Sequence, residues 1–158
     1  MNILRILLVF VTFQLQAQNS IPQNYFSKPL DIPLILSGSF GELRNNHFHS
    51  GLDIKTQQRS GIPIYAPADG YVSRVKVGHY GFGKALYIKH PNGYTTVYAH
   101  LQKFQGAIQH YVKDNQYKKE SYEIELFPEA SLLTVKKGDI IGYTGNSGSS
   151  GGPHLHYE

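Results

Sequence analysis

Eight histidines stand in a chain of 158 residues that contains no cysteine. Two of them, His154 and His156, are one residue apart and follow the glycine- and serine-rich stretch "GNSGSSGGP". On a strand the side-chain period is two, so such a pair shares a face. The pair converges on a common centre only if that face looks into a cleft. His49 opens "HSGLD", which places Asp53 four residues on. His100 closes the alternating segment "TTVYAH", where Thr96, Tyr98 and His100 fall on one face and Tyr98 is expected to line the same cleft as His100.

Metal chemistry gives a reason for assembling these residue types. A catalytic zinc takes three protein ligands of nitrogen or oxygen type and keeps an open position for water. With thiolates absent, two histidines and one aspartate are a natural choice, because neutral imidazoles leave net positive charge on the metal. That charge lowers the pKa of bound water and polarises a carbonyl. Further imidazoles nearby move protons or stabilise a developing oxyanion. His49, Asp53, His100, His154 and His156 can form such a set. H-x-x-x-D and H-x-H are each weak signals alone, and a lone histidine is more often a hydrogen-bonded structural residue. All five, however, lie beside glycine-rich or strand-terminal sequence, where functional sites concentrate.

The remaining histidines read differently. His47, in "HFH", is a rival ligand that lacks the aspartate at the same spacing, so it reads as a neighbour lining the cleft. His79 and His90 sit in turn sequence and read as surface residues. His110 falls on a helical segment with no partner for chemistry.

The elements that must position these residues are mostly short strands. Sixteen Gly, 8 Pro and 12 Tyr, set among many Val and Ile, favour strands and turns over a helical bundle. The opening "MNILRILLVFVTFQLQAQ" has a positive n-region, an apolar stretch too short to span a bilayer and a small residue at Ala17. Residues 1–17 therefore read as a secretory signal. Its removal leaves 14 Lys+Arg, since Arg5 departs from the 15, against 11 Asp+Glu, a net charge of +3. That suits an anionic surface such as a cell wall; no nucleic-acid partner and no membrane span after signal removal are expected. Residues 18–37 are proline-rich and polar and read as an extended lead-in.

From residue 38 the texture is that of a single β domain running to 158. "GYVSRVKV" alternates, with Val75 and Val77 opposite Arg74 and Lys76. "KALYIKHPNGYTTVYAHL" reads as two strands joined across His90 to Gly93. Leu101, Phe104, Ile108 and Val112 recur at helical spacing, and "YEIELF" returns to strand texture. Residues 104–134 therefore read as an insertion of one helix and one strand. The expected fold is mainly β, two antiparallel sheets or a partly open barrel.

Four ordered blocks, "HFHSGLDI", "PIYAPADGYVSRV", "YGFGKALYIKHPNGYTTVYAHL" and "VKKGDIIGYTGNSGSSGGPHLHYE", closely resemble the LytM/lysostaphin-type zinc metalloendopeptidases. The resemblance covers about residues 38–104 and 133–158. It implies Zn2+ held by His49, Asp53 and His156, with His154 and His100 assisting catalysis. It further implies hydrolysis of peptide bonds in bacterial peptidoglycan, which fits an exported protein. In relatives the last strand runs on past the glutamate, so the resemblance also implies that the domain is truncated at its C-terminal end. Two rivals come from other classes. A non-catalytic LytM-like module activating another wall hydrolase is disfavoured because no ligand position is lost. A biotinyl-like half-barrel, suggested by "APADGYVSRV", lacks a modifiable M-K pair and leaves the five residues unexplained.

Overall fold

A computed structural model describes residues 23–45 and 47–158. The signal reading of residues 1–17, and the first part of the lead-in, lie outside the described residues. Among the described residues, eleven strands form two antiparallel sheets, alongside one helix.

The large sheet is built around β4 (Gly70–Val77), β5 (Lys84–Lys89) and β6 (Thr95–Ala99). The hairpin between β5 and β6 turns where Pro91-Asn92-Gly93 predicted it. Gly93 has φ +87° and donates to His90 O at 3.0 Å, a left-handed position that glycine adopts without steric cost. In β4 the alternation holds for Val75 and Val77, but Val72 is buried too, at an odd spacing from Val75. A bulge resolves this: Val72 pairs with Ile88 and Arg74 with Tyr87, so Ser73 is extra. The added residue restores the core face to both valines.

Two further strands complete that side. β8 (Ile124–Leu126) and β9 (Thr134–Val135) share the outer edge of β4, the first against Val75–Val77 and the second against Gly70–Tyr71. The predicted insertion thus widens the large sheet by its own strand. Its helix, α1 (Gly106–Lys118), buries Ile108 and Val112, one turn apart. Leu101 and Phe104, which continue the helical spacing in sequence, are buried but precede the helix. Phe104 belongs to β7 (Lys103–Phe104).

On the other side of β6 the order is β6, β11 (His154–Tyr157), β2 (Leu52–Lys55) and β1 (Leu36–Gly38). The last strand therefore lies inside the sheet, between β2 and β6. Its pairing continues through Glu158, whose N–H and carbonyl both bond to Val97. The small sheet has the order β3 (Pro63–Tyr65), β10 (Ile140–Tyr143), β7. One apolar cluster takes in Val72, Leu86, Tyr98 and Leu155 from the large sheet with Ile64 and Ile141 from the small one.

The described part of the lead-in is integrated into this body. Leu30 is in the core, Tyr65 N–H donates to Pro29 O at 2.9 Å, and Phe26 packs edge-on against His90. His90 is not the surface residue its turn setting suggested. It is buried, its Nδ1–H donates to Asp69 O at 2.8 Å, and Nε2 lies 2.8 Å from the Thr96 hydroxyl. The polar turn begins only at the next residue. His79 is exposed and stacks on Tyr122, and His110 is exposed on α1, as their settings implied.

Candidate metal centre

Register alone brings two of the predicted residues face to face. On the paired strands β2 and β11, Asp53 lies opposite His156 and Lys55 opposite His154. Directly opposed residues of an antiparallel pair point to the same side of the sheet. Leu155 and Ile54, the intervening pair, point the other way and are buried in the core. His49 arrives from a short loop held by reciprocal backbone bonds, Gly41 N–H to His49 O and His49 N–H to Glu42 O, both 2.8 Å.

Three atoms then meet. His49 Nε2 lies 3.0 Å from Asp53 Oδ1 and 2.9 Å from His156 Nδ1, and His156 Nδ1 lies 3.0 Å from the same Oδ1. All three residues are buried. Their outward atoms decide what these three atoms can be. His49 Nδ1 is 2.9 Å from Ser39 O, a carbonyl that only accepts, so Nδ1 carries the proton and Nε2 presents a lone pair. His156 Nε2 is 3.1 Å from Glu158 Oε1, which places its proton on Nε2 and its lone pair on Nδ1. Asp53 Oδ2 accepts from Arg44 at 2.8 Å, leaving Oδ1 turned inward. Three acceptors with no donor among them repel one another unless a cation lies between them. The donor set, two neutral imidazoles and a carboxylate, fits zinc.

The two remaining predicted residues adjoin this cluster. His154 Nε2 is 3.5 Å from Asp53 Oδ1, while its Nδ1–H donates to Gly152 O at 2.9 Å. The ring of His100 lies 4.7 Å from that of His154 and 6.0 Å from that of His156. Its Nδ1–H donates to Ser147 O at 2.9 Å, so Nε2 keeps its lone pair. Thus all five sequence-derived residues are gathered in one place.

His100 reaches the site by an unexpected route. Ala99 pairs with His156 and so lies on the site face, and a regular strand would send His100 to the opposite face with Tyr98. A φ of +60° at His100 breaks the pleat and turns its ring back toward the cluster. Such a conformation is uncommon outside glycine, though histidine, asparagine and aspartate adopt it more than most. Tyr98 does not follow. It is fully buried in the core, its hydroxyl 2.8 Å from Thr96 Oγ1, and it does not line the cleft as alternation suggested.

Burial pushes His100 down to about 4, so this imidazole is neutral near pH 7. When protons rather than a metal supply the cation, burial would raise the Asp53 carboxyl, but hydrogen bonds from protonated His154 and His156 and from Arg44 hold it far below the usual carboxylate range. Burial likewise lowers His154 and His156, yet bonding to Asp53 outweighs it and raises both. The centre therefore draws positive charge.

A cavity of about 570 Å³ opens over the cluster, lined by His47, Arg44, Gly81, Phe82 and Ser150 among others. His47 is thus a cleft neighbour, as its missing aspartate implied. Among the described residues, none of 23–37 lines it. A second depression of about 590 Å³ shares Arg44, Asp53, Gly151 and His154 with the first and extends past Lys55 and Gln57. The groove thus continues beyond the cluster.

One wall is a pair of interlocked loops. Ser149 N–H donates to Gly81 O at 2.8 Å, Gly81 N–H to Ser149 Oγ at 3.0 Å and Lys84 N–H to Ser147 Oγ at 2.9 Å. Gly83 and Gly148 approach so closely that a Cβ on Gly83 would lie 2.4 Å from Gly148 N.

Sequence reasoning missed Arg44, Ser147 and Glu158. For Glu158 a signal existed: positions 154, 156 and 158 share one face at period two. Arg44 and Ser147 are brought in by loops, and local sequence carries no sign of them.

A model described as peptidase family M23 matches residues 47–117, a stretch that includes His49, Asp53 and His100 and stops short of His154 and His156. An uncharacterized metalloprotease of Haemophilus influenzae is 39% identical over 110 residues, 70% of this chain and 18% of the relative. The peptidoglycan DD-endopeptidase ShyC of Vibrio cholerae is 35% identical over 98 residues, 62% of this chain and 17% of the relative. This chain thus spans less than a fifth of the length of these relatives. Among solved structures, a zinc containing peptidase from Vibrio cholerae superposes with a TM-score of 0.61 at 26% identity, covering 86% of this chain and 36% of that one.

Proposed function

The chain belongs to peptidase family M23, and on that premise we propose that it is an exported, zinc-dependent endopeptidase cleaving peptide bonds of bacterial peptidoglycan. The observation that carries this reading is the convergence of three lone pairs, on His49 Nε2, Asp53 Oδ1 and His156 Nδ1, each fixed by a bond on its outer side. These residues would hold the metal. Bound there, zinc supplies Lewis acidity that polarises a scissile carbonyl and acidifies water.

The chain's own residues do the rest. His100 and His154 each have Nδ1–H committed to a backbone carbonyl, so each offers Nε2 as the atom that accepts and returns a proton. Asp53 stays ionised, with Arg44 donating to its outer oxygen. The groove that continues past the cluster admits chain on either side of a bond, which suits cleavage within a peptide. Gly81 and Gly151 at its rim allow close approach of a substrate backbone. Export is supported by the sequence of residues 1–17, and a wall substrate lies where an exported protein would meet it.

The test is metal content together with cleavage. The purified chain is expected to bind about one zinc and to release fragments from peptidoglycan or its stem and bridge peptides, with His49→Ala abolishing both. Hydrolysis that persists undiminished in a strong chelator would defeat the metal reading, as would a folded chain that takes up no zinc.

A further inference from the structure

Glu158 transfers no proton in this scheme, yet its side chain bonds to His156 on the outer side of the cluster. We propose that Glu158 is a positioning residue that fixes the tautomer and orientation of His156. The inference rests on reading the cluster as a metal centre.

Glu158 continues the strand face that carries His154 and His156, and its backbone is locked to β6 by bonds of 2.9 and 3.1 Å with Val97. From that fixed point Oε1 accepts the His156 Nε2–H at 3.1 Å and also a bond from the Ser50 hydroxyl. Ser50 directly follows His49. One carboxylate oxygen therefore ties the ring of one cluster histidine to the chain segment of another.

The surroundings are shaped for this arrangement. A Cβ on Gly51 would lie 2.9 Å from Glu158 Cγ, 3.1 Å from His156 Cε1 and 2.5 Å from Tyr157 O. Only glycine leaves room for the carboxylate to fold back beneath the ring. The His156 side chain is 4% exposed, so the Glu158 carboxylate is the acceptor its buried Nε2–H meets. Without that acceptor the ring is free to carry its proton on Nδ1, where it would block the cluster. A carboxylate on the far nitrogen also makes the ligating nitrogen more basic.

The test compares wild type, Glu158→Ala, Glu158→Met and Glu158→Gln by zinc competition with a chromophoric chelator. It adds 15N NMR of the His156 ring in the metal-free protein. Glu158→Ala and Glu158→Met are expected to weaken zinc binding by about 10–100-fold and to lose the Nε2–H tautomer. Glu158→Gln, whose amide oxygen still accepts, is expected to keep the tautomer and restore most of the affinity. Glu158→Met preserves the stem and carries the comparison if the alanine variant does not fold. Wild-type affinity with an unchanged tautomer in Glu158→Ala or Glu158→Met would overturn the proposal. If wild type itself binds no zinc, the metal reading falls, and the NMR comparison alone decides whether Glu158 sets the tautomer.

Discussion

Each ring nitrogen around Asp53 has its proton assigned by a partner outside the cluster, and this separates the roles of the histidines. His156 and His49 turn lone pairs onto the same point as Asp53 Oδ1, whereas His154 stands 3.5 Å from that oxygen. His154→Ala is therefore expected to retain zinc while turnover falls by about 10²–10⁴-fold, the usual scale for a proton-transfer group. Metal content measured beside kcat checks this, and loss of metal would exchange the roles of the two histidines in H-x-H. At this scale the sequence was largely readable. Strand periodicity placed His154 with His156, and the i,i+4 spacing linked His49 to Asp53. His100 was found for the wrong geometric reason: alternation grouped it with Tyr98, and a left-handed φ separates the two. No local pattern in "TTVYAH" announces that turn, because the interlocked loops that hold Ser147 O against the ring impose it from outside.

At the scale of elements, the loop pair 81–84 and 147–149 and the inserted helix make opposite demands. Gly83 has φ +62° and backbone of Gly148 against its Cα. Gly83→Ala is expected to cost about 1–3 kcal/mol in stability from backbone strain alone. By moving the loop that anchors His100, it should also lower turnover; thermal melting and kcat report the two effects separately. Helix α1 packs Ile108 and Val112 into the core, and none of its residues lines the cavity over the cluster. Ile108→Ala is expected to destabilise by about 2–5 kcal/mol while leaving zinc stoichiometry unchanged, by melting and metal analysis. Strand and helix positions were legible because burial imposes period two or 3.6. The helical spacing overran its element at Leu101 and Phe104, since a strand and a connecting turn buried in the same core reproduce that spacing by chance.

At the scale of the whole molecule, the proposed ligands come from a loop near the start of the domain, from β2 and from β11. Metal binding therefore belongs to the folded state alone. Zinc in hundredfold excess over its dissociation constant is expected to add about 2.7 kcal/mol to stability, seen as a rise in Tm that a chelator reverses. A melting temperature indifferent to zinc would argue that the three residues do not act as one site. The connectivity behind this was the least legible feature. Sequence identifies β11 as a strand, but its place between β2 and β6 follows from packing Leu155 and Tyr98 into one core. Local patterns do not encode such long-range pairing.

That placement bears on how the protein comes into being. Residues 154–157 follow the other ten described strands in sequence, yet they fill the middle of the sheet. Until they are threaded in, β2 and β6 face each other across an open slot, and Asp53 waits for an imidazole more than a hundred residues downstream. A nascent or nicked chain that stops before Gly152 lacks His154 and His156 and so cannot complete the cluster. Folding thus acts as its own safety catch: under the proposed function, the metal cluster is completed only when β11 closes the sheet.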